Sequence, residues 1–232
     1  DGKRLAFVRW DSKQKEIALI TANADGSNQK KLATRKLSEL TIESNPAWSP
    51  DGKVIVIAVF NPSRHGPEAL GIAEVQVEGG LIKEIPSKGW GAIDQIAWMG
   101  DGSGFLMPAA DQSTGWFFQI WFVSYPDGKA RKVTNDPNNY QGISLSRDSG
   151  VLLTMQSDWL STICVALDGD SNRAMQITTG KYDGFGGVAW AKGGKIVYGT
   201  RDWDIWIMDE DGSNQRLLTI DEHNNRWPFV SA

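Results

Sequence analysis

Apolar and polar positions along this chain fall into short blocks, and the blocks recur. In Asn45-Pro46-Ala47-Trp48-Ser49-Pro50-Asp51-Gly52-Lys53, a brief strand ends in a tryptophan and meets a turn. The unbroken, largely β-branched run of residues 54–60 follows. Glycine takes positive φ at no steric cost, Pro50 presets the first corner, and Asp51 can bond nearby amides, so the stretch predicts a tight hairpin. Worn copies return elsewhere. Residues 1–7 match its second half, residues 96–102 its first half, and residues 143–153 and 188–198 the whole in looser form. The aligned turns start at positions 1, 51, 101, 148 and 193, giving steps of 50, 50, 47 and 45 residues.

A second turn alternates with the first: Asp25-Gly26-Ser27-Asn28, Glu78-Gly79-Gly80, Asp127-Gly128-Lys129, Asp168-Gly169-Asp170 and Asp211-Gly212-Ser213-Asn214. An apolar run of four precedes each one, at residues 17–20, 72–75, 120–123, 163–166 and 205–208. Each unit therefore reads strand, turn, strand, variable loop, strand, turn, strand. Val, Ile, Phe and Trp suit crowded pleated faces. The longest window of helical apolar spacing is the short one at residues 36–42. The chain is expected to be all-β.

A four-stranded antiparallel meander cannot bury both of its faces alone. Blades set radially around an axis solve this, each sheet packing on the next, and a blade takes roughly 40–50 residues. A linear β-solenoid expects shorter repeats and a sandwich expects no period, so a β-propeller is the expected architecture. One domain, 1–232, would hold units of about 1–45, 46–94, 95–142, 143–187 and 188–232. The final Trp227-Pro228-Phe229-Val230-Ser231-Ala232 copies Asn45-Pro46-Ala47-Trp48-Ser49-Pro50, and what should follow is how the chain begins. Five blades closed by pairing of the N- and C-terminal strands are expected; the alternative is a segment of a six- to eight-bladed ring. The start at Asp1, with no Met, suggests a piece of something longer.

The repeat in residues 45–60 and 188–219 resembles the TolB-like, or WD40-like, propeller family. The motifs that carry this are Pro-Ala-Trp-Ser-Pro-Asp-Gly-Lys and, at 204–219, Asp-Ile-Trp-Ile-Met-Asp-Glu-Asp-Gly-Ser-Asn-Gln-Arg-Leu-Leu-Thr. Trp98-Met99-Gly100 and Ala191-Lys192-Gly193 depart from the pattern. The resemblance implies that the repeat supplies architecture rather than chemistry. Relatives bind proteins and peptides, precede the hydrolase domain of prolyl-oligopeptidase-like peptidases, or form sensor regions of bacterial receptor-like kinases. A few are metal-dependent polysaccharide lyases.

Composition narrows the function classes. The chain has 232 residues, 41% hydrophobic and 22% charged, with net charge −4 and no basic stripe, so nucleic acid is not an expected partner. No apolar run is long enough to span a bilayer, and no membrane contact is expected. The single cysteine, Cys164, is expected to be a buried strand residue. A periplasmic or extracellular setting and a monomer are expected.

Catalytic residues, metal ligands and cofactors are expected to be absent. His65 and His223 fall in loops of different units, and no Gly-x-Ser-x-Gly elbow occurs. The acidic turns at 168–172 and 209–214 lack the twelfth-position Glu of a calcium loop and read as hairpins. Acidic residues recur before each unit at Glu43, Asp94, Asp136, Asp183 and Asp221-Glu222. They are read as local backbone acceptors, with a cation site at the channel mouth as the rival. The recurring loop aromatics and arginines are the better lead, because such residues anchor interfaces. The candidate binding face comprises Arg9, Trp10, Arg64, His65, Trp90, Trp116, Tyr140, Tyr182, Arg201, Trp203 and Trp227, with Trp159 and Phe185 beside them, about half of the rings being expected to pack inside. The expected function is non-enzymatic binding of a protein or peptide, or else a glycan. The alternatives are an enzyme's propeller, whether peptidase or metal-dependent lyase, and an excised ring with no function of its own.

Overall fold

The computed structural model describes residues 2–111, 117–146, 150–220 and 225–231. They contain antiparallel strands, three short 3-10 turns and no α-helix. The fold divides into two compact units, Asp1–Ser157 and Asp158–Ala232.

The first unit opens with a three-stranded sheet of β1 (Arg4–Asp11), β2 (Glu16–Asn23) and β3 (Lys30–Lys36), paired in that order. The second sheet holds β4 (Thr41–Ile42), β5 (Ala47–Trp48), β6 (Val54–Phe60), β7 (Leu70–Gln76) and β8 (Ile82–Ile85). Both β4 and β5 pair with β6, so they form one interrupted strand beside a β6-β7-β8 meander. The third sheet repeats the plan with β9 (Ala92–Ile93), β10 (Ala97–Trp98), β11 (Gly104–Ala110), β12 (Gln119–Ser124) and β13 (Ala130–Lys132). A hairpin of β14 (Asn139–Leu145) and β15 (Leu152–Ser157) ends the unit.

The continuous apolar run of β6 follows from its two covered faces. Successive side chains of a strand point to opposite sides. Ile55, Ile57 and Val59 pack with Leu19 and Ala33 of the first sheet, while Val56 and Ala58 pack with Phe105, Met107 and Trp121 of the third. A strand buried on both sides has no position for a polar residue. Leu106, Ile120 and Ile143 continue the packing between the third sheet and β14.

Hydrogen bonds fix the turn before β6. The Gly52 amide donates to the Ser49 carbonyl at 2.9 Å, with Gly52 at φ 70°. The Ser49 hydroxyl donates to Asp51 at 2.7 Å and accepts from the Val54 amide at 3.1 Å. Three of the second turns, those with Gly80, Gly128 and Gly212, do different work: they bring one sheet against the next. A Cβ on Gly80 would lie 1.8 Å from the Leu32 carbonyl oxygen, one on Gly128 1.4 Å from that of Pro86, and one on Gly212 1.9 Å from that of Ile177. Only glycine permits that approach.

The second unit contains a hairpin of β16 (Cys164–Ala166) and β17 (Ala174–Gln176) and a four-stranded meander of β18 (Val188–Ala191), β19 (Lys195–Gly199), β20 (Ile205–Asp209) and β21 (Arg216–Leu217). Ile163, Ile196, Tyr198 and Met208 form its core.

Two expectations need correction. The unit expected at about 143–187 as one four-stranded sheet is instead two separate hairpins, β14–β15 and β16–β17, because β16 pairs along one edge only, with β17. Cys164 is exposed: strand alternation gives the inward positions to Ile163 and Val165. The short window of helical spacing lies in a hydrogen-bonded turn between β3 and β4, as an all-β chain requires. The turn expected at Arg147-Asp148-Ser149 lies outside the described residues.

Candidate functional site

The loop end of the second unit gathers four of the expected residues. The Arg201 guanidinium carbon lies 4.9 Å from the Tyr182 ring centre and 5.9 Å from that of Phe185. Phe185 and Trp203 meet edge to face at 6.3 Å. Arg226 sits 3.5 Å over Trp203 and 5.9 Å from Trp227. Two arginines thus lie among four rings from Tyr182 to Trp227, and each cation–ring pair adds attraction to the apolar contact.

Backbone bonds hold this row. The Trp203 amide donates to the Thr200 carbonyl at 3.3 Å, the Asn225 amide to the Trp203 carbonyl at 2.8 Å, and the Trp227 amide to the Gly186 carbonyl at 2.8 Å. Gly186 and Gly199 are in backbone contact, which a side chain on either would block. Trp203 and Trp227 both stand at positive φ, 67° and 52°. A bulky L-residue there is strained by about 1–3 kcal/mol, and such strain clusters at functional sites. Trp227 is also 76% exposed. Beside the row, Lys181 bonds Asp158 at 2.7 Å, and that carboxylate raises the lysine's pKa.

The other expected residues do not join this cluster. Arg9 and Trp10 are strand residues of β1, paired with Ala18 and Ile17, rather than loop residues; β1 simply runs further than its turn residues suggest. Arg9 bonds Gln29 at 2.7 Å, and Trp10 is exposed. Arg64 pairs with Glu84 at 3.0 Å on the exposed loop that also carries His65. Tyr140 belongs to β14, and its hydroxyl donates to Asp136 at 2.8 Å, a bond that raises its pKa. Trp90 is 1% exposed and packs edge to face on Trp121 at 5.2 Å, so it is a core residue and not part of a binding face. Trp159 is exposed in the connection before β16. Trp116, His223, Asp221 and Glu222 lie outside the described residues. Arg226 was not among the expected residues; the recurrence of arginine beside or near tryptophan, as in Arg9-Trp10 and Arg201-Asp202-Trp203, was the signal for it.

The recurring carboxylates accept hydrogen bonds, local backbone ones at Asp136 and Asp183, a long-range one at Asp94 and a side-chain one at Glu43. Asp94 accepts from the Gly142 amide at 2.6 Å, Asp136 from the Asn138 amide at 2.9 Å, and Asp183 from the Gly180 amide at 2.9 Å. Glu43 accepts from the Thr41 hydroxyl at 2.6 Å. Among the described residues, no group of three or more His, Cys, Asp or Glu is placed to hold a metal. No helix among them is long and apolar enough to cross a membrane.

No family model and no curated protein matches the chain. Solved structures do. A TolB-type protein from Agrobacterium tumefaciens is similar over 94% of this chain and 61% of its own, at 16% identity and a TM-score of 0.49. TolB from Acinetobacter baumannii is similar over 96% and 65%, at 17% identity and 0.37. An oligogalacturonate lyase from Vibrio parahaemolyticus is similar over 92% and 62%, at 10% identity and 0.47. The chain spans less than two thirds of the length of each. At such identities and scores, no activity, ligand or partner carries across. The all-β class read from the motifs stands in the strand pairing, and the repeated meander stands in the second, third and last sheets.

Proposed function

We propose that this chain is a non-enzymatic binding module of the TolB-like propeller type. It holds a protein or peptide segment against the row of Tyr182, Phe185, Arg201, Trp203, Arg226 and Trp227. One observation carries the reading: two tryptophans kept at positive φ, one stacked under Arg226 and the other largely in water. An exposed indole gains little from packing, so a strained backbone that presents it is best accounted for by a ligand. Loops on a rigid scaffold are the usual place for such a surface. The setting would be periplasmic or extracellular, as the sensor portion of a larger bacterial protein.

The test is calorimetric titration of peptides selected by display against the whole chain. Trp203→Ala and Arg226→Ala each lower affinity at least about tenfold, the scale of a hot-spot residue. Unchanged binding in both variants removes this surface from consideration.

From the repeat phase we also infer five repeat units, of about 1–45, 46–94, 95–142, 143–187 and 188–232.

A further inference from the structure

The first two sheets show how this repeat seats a guanidinium. Arg4, at the start of β1, lies with its guanidinium carbon 4.5 Å from the ring centre of Trp48. One of its terminal nitrogens would be 3.0 Å from a Cβ placed on Gly52. The seat is thus made by the tryptophan that ends β5 and the glycine of the turn after it.

One sheet further on, the repeat supplies the same seat without an arginine, the Trp98 ring meeting Tyr125 and Phe105 edge to face at 5.0 and 5.5 Å. Trp98 and Gly102 stand where Trp48 and Gly52 stood, and Val54 takes the place of Arg4. A Cβ on Gly102 would meet nothing within 4 Å. A cavity of about 440 Å³ remains there, lined by Val54, Gln76, Trp98, Tyr125, Asp51 and Asp101 among others.

The charge around the cavity is negative. Asp51 and Asp101 stand in its wall, and the buried Glu74 accepts from the Tyr125 hydroxyl at 2.5 Å. Burial, the bond to Glu74 and the charges of Glu74 and Asp51 push the Tyr125 hydroxyl up to about 12. Lys53 also lines the cavity, but its side chain is largely exposed and reaches Asp51 only at 3.5 Å. Hydrogen bonds from Ser49 and from the Ser103 amide hold Asp51 and Asp101 below the usual carboxylate range, so both are ionised at neutral pH.

We propose that this cavity is a second binding site, which takes the arginine side chain of a partner peptide, stacked on Trp98 and paired with Asp51 and Asp101. Tryptophan is the best ring for a cation, and the planar guanidinium both stacks and offers paired N–H donors to carboxylates. The site lies in the first unit, at the turn that precedes β6, and shares no residue with the loop row of the second unit.

The experiment titrates the full chain with blocked Gly-Arg-Gly, its lysine and citrulline analogues, and free arginine, following the Trp98 indole N–H by NMR. The arginine peptide shifts that resonance; the citrulline peptide, isosteric but uncharged, binds at least about tenfold more weakly, and the lysine peptide falls between them. Val54→Arg supplies the occupant internally and abolishes binding. Asp101→Asn, at an exposed turn and away from the core, weakens binding severalfold while leaving the fold intact. Equal binding of the citrulline peptide, or unchanged binding in both variants, overturns the site. Free arginine binding as tightly as the peptide overturns the peptide as its source. Trp203→Ala, which addresses the loop row, leaves this titration unchanged.

Discussion

Tyr125→Phe is the sharpest probe of how the second and third sheets are joined. The substitution keeps the ring, and with it the edge-to-face contact with Trp98 at 5.0 Å, but deletes the hydroxyl that donates to Glu74. Glu74 is 7% exposed, and its other hydrogen-bond donor, Gln76, stands at 3.3 Å. A hydrogen bond to a charged acceptor is worth about 1.5–3 kcal/mol, and a buried carboxylate short of donors adds a desolvation cost. A loss of about 2–3 kcal/mol is expected at pH 8. The pH dependence carries a sign of its own. The hydroxyl's folded pKa, about 12, lies above its ordinary value of 10.0, so its stabilisation is complete below pH 10 and disappears as pH rises through 12. Two pH units correspond to about 2.7 kcal/mol, reduced to about 1–2 kcal/mol by water around a partly exposed ring. Urea unfolding followed by tryptophan emission at pH 8, 10, 11 and 12 measures both effects. The gap between wild type and variant should be widest at pH 8 and narrow steadily above pH 10. A gap below about 0.5 kcal/mol at pH 8, or one that stays constant to pH 12, would refute the reasoning.

Further outcomes follow from other positions. Trp90→Ala should cost about 3–5 kcal/mol, since it empties a core site against Trp121; a loss under 1 kcal/mol in denaturant would restore Trp90 to the surface. Gly128→Ala, whose Cβ would overlap the Pro86 carbonyl, should cost several times the ~1 kcal/mol expected for Gly26→Ala, whose Cβ meets nothing within 4 Å; equal melting temperatures would count against the turn-to-sheet contact. Trp227→Gly should raise stability by about 1 kcal/mol through relief of its positive φ while weakening peptide binding, a separation that thermal melts and titration read independently. Asp211 is held below the usual carboxylate range by the Ser213 side chain and amide, so its contribution is present above the unfolded value and lost as pH falls; Asp211→Asn should flatten the acid limb of the stability profile.

The turns and the doubly covered strands were legible in the sequence because their causes are local. Ser49-Pro50-Asp51-Gly52 closes through its own side chains, and the apolar run of β6 reports two buried faces without reference to any partner. Trp90 was not legible. Its neighbours Gly89 and Gly91 read as an open loop, but Gly89 lies where the Pro67 carbonyl leaves no room for a side chain, and the ring turns inward to Trp121. Cys164 was misplaced because an apolar run of four does not say whether one face or two will be covered. Arg9 and Trp10 were set in a loop because turn residues mark where a strand must have ended, and β1 runs to Asp11. The loop row was half legible. Rings and arginines recur in sequence, but positive φ at Trp203 and Trp227 arises only once the backbone has bonded to Thr200, Asn225 and Gly186.

Hydrogen–deuterium exchange of the whole chain, with and without a display-selected peptide, tests the central claim most directly. Protection concentrated at residues 182–187, 200–204 and 225–228 is the predicted result. No selectable binder, or protection that spares all three segments, would contradict the account.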